Sequence, residues 1–360
     1  MTIFKFRPYR RRFVRTVSTS HGKWDIRDGI ILCFTDESGR VGWGEIAPIS
    51  WFGSETIEQA LDFCRQLPAQ ITEETIFSIP DELPACQFGF ESAWEEVGRW
   101  GDGETCTERS RWRSLSQRSM GRWGDGEQGS RGDEFLPSAQ CPIPNAQLSA
   151  LLPAGKAALN QWESLWQQGY RTFKWKIGVD VVANELKIFE SLIHTLPAGC
   201  KLRLDANGGL SYEEANLWLW TCDNFKGNGK QTPEIEFIEQ PLPVEQFQGM
   251  LELSMCYGTA IALDESIATL TQLTACYQQG WRQIFVIKPG IIGSPSRLRK
   301  FCQENKIDAV FSSVFESAIG RVAALKLAAE LSLNNRAVGF GIDHFFEQED
   351  TWLQSLCKNL

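Results

Sequence analysis

The feature that most constrains this chain is a rhythm in its second half. Short apolar runs alternate with stretches of helical periodicity, and each run ends in polar or charged residues. The runs cover 146–152, 172–177, 201–204, 235–238, 259–263, 283–287, 309–311 and 337–340, which makes eight. Their starts are spaced from 24 residues (235 to 259) to 34 (201 to 235), the length of one strand–helix unit. Helical patterns fill the intervals at 154–168, 182–196, 212–224 and 318–333. Eight such units predict an α/β chain folded as a (β/α)8-type barrel, where chemistry gathers at the C-terminal ends of the strands. A doubly wound sheet shares the alternation, but no GxGxxG opens a helix to favour a dinucleotide fold.

Three further segments complete the predicted organisation. Residues 1–97 read as a small α+β unit, with strands at 3–7 and 29–35, a turn at 36–40 and a third strand at 41–45. Ser54-Glu55-Thr56 then caps a helix with Ile57, Ala60, Leu61 and Cys64 on one face, and 84–97 reads as a second helix. The loop 49–53 carries Trp51 and Phe52, and reads equally as a hydrophobic plug or as a lid over a pocket. Residues 98–136 hold seven Arg and seven Asp or Glu among many Gly and Ser, and Gly98–Glu104 recurs as Gly121–Glu127. Too little apolar surface is available there to offset ordering entropy, so a flexible insert is expected. The barrel is expected over 137–343, followed by a C-terminal tail at 344–360 that packs near the cap.

Composition excludes several classes of function. A formal net charge of −9 argues against nucleic-acid binding, and no apolar run approaches a membrane span. The basic start, residues 1–24, lacks the apolar core of a secretion signal and reads better as paired strands, so a cytoplasmic address is expected. Eleven cysteines without a CxxC pair indicate buried thiols rather than a zinc site or a disulfide framework. The histidines are His21, His194 and His344, none with another His or a Cys at ligand spacing. Acid–base work is therefore assigned to Lys, Asp or Glu.

Three consecutive predicted strands end in a carboxylate: Asp205 in LDAN, Glu239 in IEQP and Asp264 in LDES. Converging acids repel unless a cation lies between them, and oxygen-only ligation selects Mg2+ before Mn2+ or Ca2+. No organic cofactor is indicated. Lys174 and Lys176 are two apart on the second strand, so they project together, and adjacent ammonium groups favour each other's deprotonation. Lys288, in KPG at the end of the sixth strand, faces them across an eight-membered ring. Lysines on both sides of a metal suit proton abstraction next to a carboxylate.

The KxK strand, the LDAN, IEQP and LDES ends and the later KPG together resemble the enolase superfamily, on the branch with a lysine on each side of the site. The resemblance covers nearly the whole chain outside the insert, with 1–97 similar to the superfamily's capping domain and Gly42–Pro48 to its characteristic turn. Phe311–Ser317 and Gly339–Asp343 are similar to the o-succinylbenzoate synthase family, which acts in menaquinone or phylloquinone biosynthesis. That similarity implies a small carboxylate substrate, dehydrated from 2-succinyl-6-hydroxy-2,4-cyclohexadiene-1-carboxylate to 2-succinylbenzoate through an enediolate. It also implies Lys176 as the base, Lys288 as a cation over the planar intermediate and Lys174 as an electrostatic neighbour. Substrate contacts are implied for Arg203, Asn207, Ser312, Ser313, Gly341 and Trp51, and lid loops for 15–25 and 49–54. Dipeptide epimerases and N-acylamino-acid racemases share the core. The epimerases carry Asp-x-Asp on the last strand where this chain has Gly341-Ile342-Asp343. Oligomeric state is left open.

Overall fold

The computed structural model describes residues 2–19, 22–98, 147–226, 232–342, 345–346, 349–358 and 360. The insert after Gly98, the start of the first barrel run, His21, Asp343 and His344 lie outside the described residues.

The N-terminal sheet is antiparallel with order β3–β2–β1–β4, built from β1 (Thr2–Thr19), β2 (Gly22–Thr35), β3 (Val41–Ile46) and β4 (Gln70–Ile71). β1 is far longer than the sequence pattern alone predicts. Its basic half alternates, with Tyr9, Arg11 and Phe13 buried, and Arg10–Arg12 pair with Asp28–Ile26 across the hairpin. Asp36 closes the next turn by accepting from Ser38 N and Arg40 N, both at 2.9 Å. Helix α1 (Ile57–Gln66) starts at Thr56 with a capping box to Gln59. Helix α2 (Glu73–Phe77) leads to α3 (Pro84–Gly98), which packs against β3. That packing needs glycine. A Cβ on Gly42 would stand 2.3 Å from Ala93 O, and one on Gly44 would stand 2.1 Å from Gly89 O.

The second unit is a parallel sheet of seven strands, β5 (Ser149–Leu152), β6 (Thr172–Lys176), β7 (Lys201–Asp205), β8 (Glu234–Glu239), β9 (Ile261–Leu263), β10 (Ile284–Ile287) and β11 (Asp308–Phe311), in sequential order. The eighth predicted run forms no extended ladder. It closes the ring through single parallel bridges, Ser312 to Gly339 on one side and Leu148 to Val338 on the other. Phe173, Trp175, Leu202 and Leu204 face the helix layer, which sends Lys174, Lys176, Arg203 and Asp205 to the interior by strand alternation. A bulge in β8 resets that alternation. Ile235 and Ile238 both reach the helix layer, while Phe237 joins an interior plug with Ala262, Ile284, Val286 and Val310.

Buried acids of the cap fasten it to the barrel. Glu45, 1% exposed, accepts from Ser317 N at 3.0 and 2.9 Å and from Gly320 N at 3.0 Å, at the start of the helix Ala318–Leu331. A carboxylate there meets unpaired N–H groups and the positive end of the helix dipole. The Tyr9 hydroxyl donates to the same carboxylate. Glu91 accepts from Ser296 N at 3.0 Å, and Arg299 pairs with Glu95. Ile291 and Val314 of the barrel are buried in the cap's own apolar core. After the eighth run the helix Glu349–Cys357 lies on β1, where Arg7 donates to Leu356 O and Arg11 stacks on Trp352 at 4.5 Å. No helix among the described residues is long and apolar enough to cross a membrane.

Candidate active site

Strand register puts the candidate residues at one end of the barrel. Lys176 lies opposite Asp205, Asp205 opposite Glu239, and Glu239 opposite Ala262, two residues before Asp264. The turn after Lys176 is fixed by Glu185, which is 1% exposed and accepts from Gly178 N (2.8 Å), Val179 N (2.9 Å) and Asp180 N (3.1 Å). The reading of the sequence missed Glu185. Its signal was an acid in the first turn of the helix that follows the lysine strand.

The acids are met by lysines. Lys174 Nζ lies 2.8 Å from Asp205 Oδ2 and 2.7 Å from Glu239 Oε1, and Lys288 pairs with Asp264. Among the described residues no three His, Cys, Asp or Glu side chains form a ready-made metal cluster. The Lys174 ammonium lies between Asp205 and Glu239, and the Lys288 ammonium lies against Asp264. Burial opposes the charge of Lys174, but Asp205, Glu239 and Asp264 outweigh burial and raise its pKa above the ordinary lysine value. Lys176 is half-buried and, among the described residues, forms no ion pair. Burial pushes Glu239 up to about 8 and Asp264 up to about 6, against the pull of Lys174 and Lys288.

Asn207 organises the acids from a left-handed backbone, φ 44°. Its N–H donates to Asp205 Oδ1 at 3.2 Å and its amide to Glu265 Oε1 at 3.0 Å. Glu265 is a fourth acid the sequence reading left without a role, and burial raises its pKa. Above the site, the Phe52 ring lies 3.9 Å from Lys288 Nζ. The loop 49–53 thus reaches the pocket, as the lid alternative requires. Trp51, 39% exposed, is edge-on to Trp24 at 4.9 Å.

Three expected substrate contacts have partners within the chain. Arg203 shares Asp205's face but sits deeper, 2% exposed, with Nε 2.6 Å from Glu236 Oε2 and its guanidinium over Phe237. Two residues along a strand carry its side chain a layer below the mouth, where Glu236 captures it. Ser313 spends its hydroxyl within its own loop, donating to Glu316 Oε2 and accepting from Phe315 N, both at 2.9 Å. Gly341 is a packing position: a Cβ there would stand 2.9 Å from Ser149 O and 3.3 Å from the Tyr170 ring. Ser312 is half-buried at the barrel seam, and a Cβ on Gly339 would stand 2.6 Å from its Oγ.

Comparison with known proteins gives a consistent result. Residues 157–355 match the family described as Enolase C-terminal domain-like, and residues 9–97 match MenC, N-terminal domain. The chain is 38% identical to an o-succinylbenzoate synthase of Thermosynechococcus vestitus, over 95% of this chain and 93% of that one. A crystal structure of o-succinylbenzoate synthase from Thermosynechococcus elongatus BP-1, complexed with Mg in the active site, superposes with a TM-score of 0.80 at 36% identity. The match covers 99% of this chain and 100% of that one. An L-Ala-D/L-Glu epimerase of Bacillus subtilis is 22% identical over 88% of this chain and 79% of its own.

Proposed function

The chain belongs to the o-succinylbenzoate synthase family of the enolase superfamily, and on that premise we propose that it dehydrates 2-succinyl-6-hydroxy-2,4-cyclohexadiene-1-carboxylate to 2-succinylbenzoate with Mg2+ bound. The observation that carries the reading is the row of Asp205, Glu239 and Asp264 with Lys174 and Lys176 on one side and Lys288 on the other. A cytoplasmic step of menaquinone or phylloquinone synthesis is the matching context.

The donor set fits the metal. Asp205 and Glu239 already share one cation, the Lys174 ammonium, and every ligand offered by the three acids is oxygen. Asp205, Glu239 and Asp264 would hold the ion, which supplies Lewis-acid charge at the substrate carboxylate. Lys176, as the free amine, takes the proton from the ring carbon that bears the carboxylate, and the electron pair moves toward that carboxylate. The neighbouring C–O bond then breaks. Lys176 returns its proton to the departing hydroxyl on the same face, water leaves, and the ring becomes aromatic. Lys288 stays protonated beside Asp264 on the opposite face, where its contact with the Phe52 ring supports a role in carrying an aromatic face. Lys174 holds Asp205 and Glu239 in place through its two ion pairs.

Purified protein with Mg2+ should consume the cyclohexadiene carboxylate and release 2-succinylbenzoate, and chelation should stop it. Full turnover by Lys176→Ala would sink the assignment of the base.

A further inference from the structure

Phe315 stands out in the loop after β11. It has φ 60°, a left-handed backbone that bulky side chains rarely adopt. Its own loop enforces that conformation. Phe315 N donates to Ser313 Oγ at 2.9 Å, Ser313 Oγ and Val314 N both donate to Glu316 Oε2 at 2.9 and 2.6 Å, and Ser317 N is held by Glu45. Strain kept by surrounding hydrogen bonds points to a use for the side chain it projects. The ring is half-buried and stands outside the apolar core of the barrel wall.

It meets three aromatic rings edge-on instead. Trp24 and Phe13 of the β1–β2 hairpin each lie at 5.4 Å, and Phe345 of the C-terminal segment at 5.1 Å. Trp24 passes the contact to Trp51 at 4.9 Å, beside the Phe52 that covers Lys288. Phe13 passes it to Phe346, stacked at 4.8 Å, on which Arg11 lies at 4.1 Å. One barrel residue thus joins the hairpin, the 49–53 loop and the C-terminal segment above the pocket.

We propose that Phe315 is a positioning residue that latches the cap's hairpin and 49–53 loop onto the barrel, and so holds Phe52 over Lys288. The proposal rests on the reading of Lys288 given above. The test compares Phe315→Gly with Phe315→Tyr. Glycine suits φ 60°, so it removes the ring without adding backbone strain, and tyrosine restores the ring. Loss of three edge-to-face contacts should raise KM about tenfold with a much smaller change in kcat, and tyrosine should return KM to near wild type. Hydrogen exchange of the ligand-free protein should quicken in peptides covering 11–17 and 49–53 for glycine and not for tyrosine. Unchanged KM and unchanged exchange in Phe315→Gly, whatever its melting temperature, overturn the latch. Exchange needs no turnover. An inactive wild type would therefore overturn the functional reading, while exchange alone would still decide the latch.

Discussion

The two ends of the barrel both hold charged networks, and their closest ion pairs use different cations, with Lys201 standing off at 3.6 Å from Glu236 at the N-terminal end. At the N-terminal end Arg336 grips Asp308 through two hydrogen bonds, at 2.8 and 2.7 Å, and donates to Glu236 at 2.6 Å. Glu236 also accepts from Arg203, and these partners hold its pKa below the ordinary carboxylate range despite burial. At the C-terminal end the partners are lysines, and burial drives two of the acids up. A guanidinium fork fixes a carboxylate in one orientation, whereas an ammonium is a point charge that another cation can replace. The arginine end is held by the more directional pairs. Chemistry belongs at the lysine end.

The largest expected effect breaks the lysine end. Lys176→Ala should lower kcat by about 10^3-fold, the scale of a lost general base, with the melting temperature nearly unchanged because no ion pair is removed. Lys174→Met should behave in the opposite way without metal. It leaves Asp205 and Glu239 buried without their shared cation, at a cost of about 3–5 kcal/mol by denaturant unfolding. Saturating Mg2+ should recover more stability in this variant than in wild type. Equal gains would mean that the ion does not take the ammonium's place.

The arginine end should respond in stability alone. Arg203→Met should cost about 3 kcal/mol, with kcat and KM of the folded protein unchanged. A substantial rise in KM would return Arg203 to the substrate site. The smallest effect concerns Glu316, an acid that neither end resembles. It is 2% exposed, its Oε1 has no hydrogen-bond partner among the described residues, and burial pushes its pKa up to about 7. A folded pKa above the unfolded one means that the folded state holds the proton more tightly. The contribution is then complete below about pH 4.3 and lost as pH rises through about 7. Glu316→Gln keeps the neutral form, so it should match wild type near pH 4 and exceed it by a growing margin as pH rises toward 8. Parallel melting curves for the two proteins from pH 5 to 8.5 would refute this.

Much of this was legible in the sequence because it depends on periodicity. The strand ends Asp205, Glu239 and Asp264, the KxK pair and Lys288 arrive together because each lies at a fixed point of a repeated unit. The capping box at Thr56 and the turn at Asp36 follow from local side-chain chemistry. Other features depended on partners distant in sequence. Arg203 was assigned to the pocket because its face was readable and its depth was not. Tyr9 and Phe13 lengthen β1 because they pack on Trp352 and Phe346, more than 300 residues away in the chain. The eighth run lacks a ladder because its neighbours meet it only at single residues.

The sequence by itself determined which residues carry charge at the strand ends and on which face of each strand they lie, since both follow from a two-residue period. Only the tertiary structure decided which cation meets which acid. Lys174, expected as an electrostatic neighbour, pairs with both Asp205 and Glu239, because ring closure brings β6, β7 and β8 within reach of one ammonium. Only the tertiary structure, likewise, set Phe52 on Lys288 and Phe315 against the hairpin, contacts made between domains where no local rule operates.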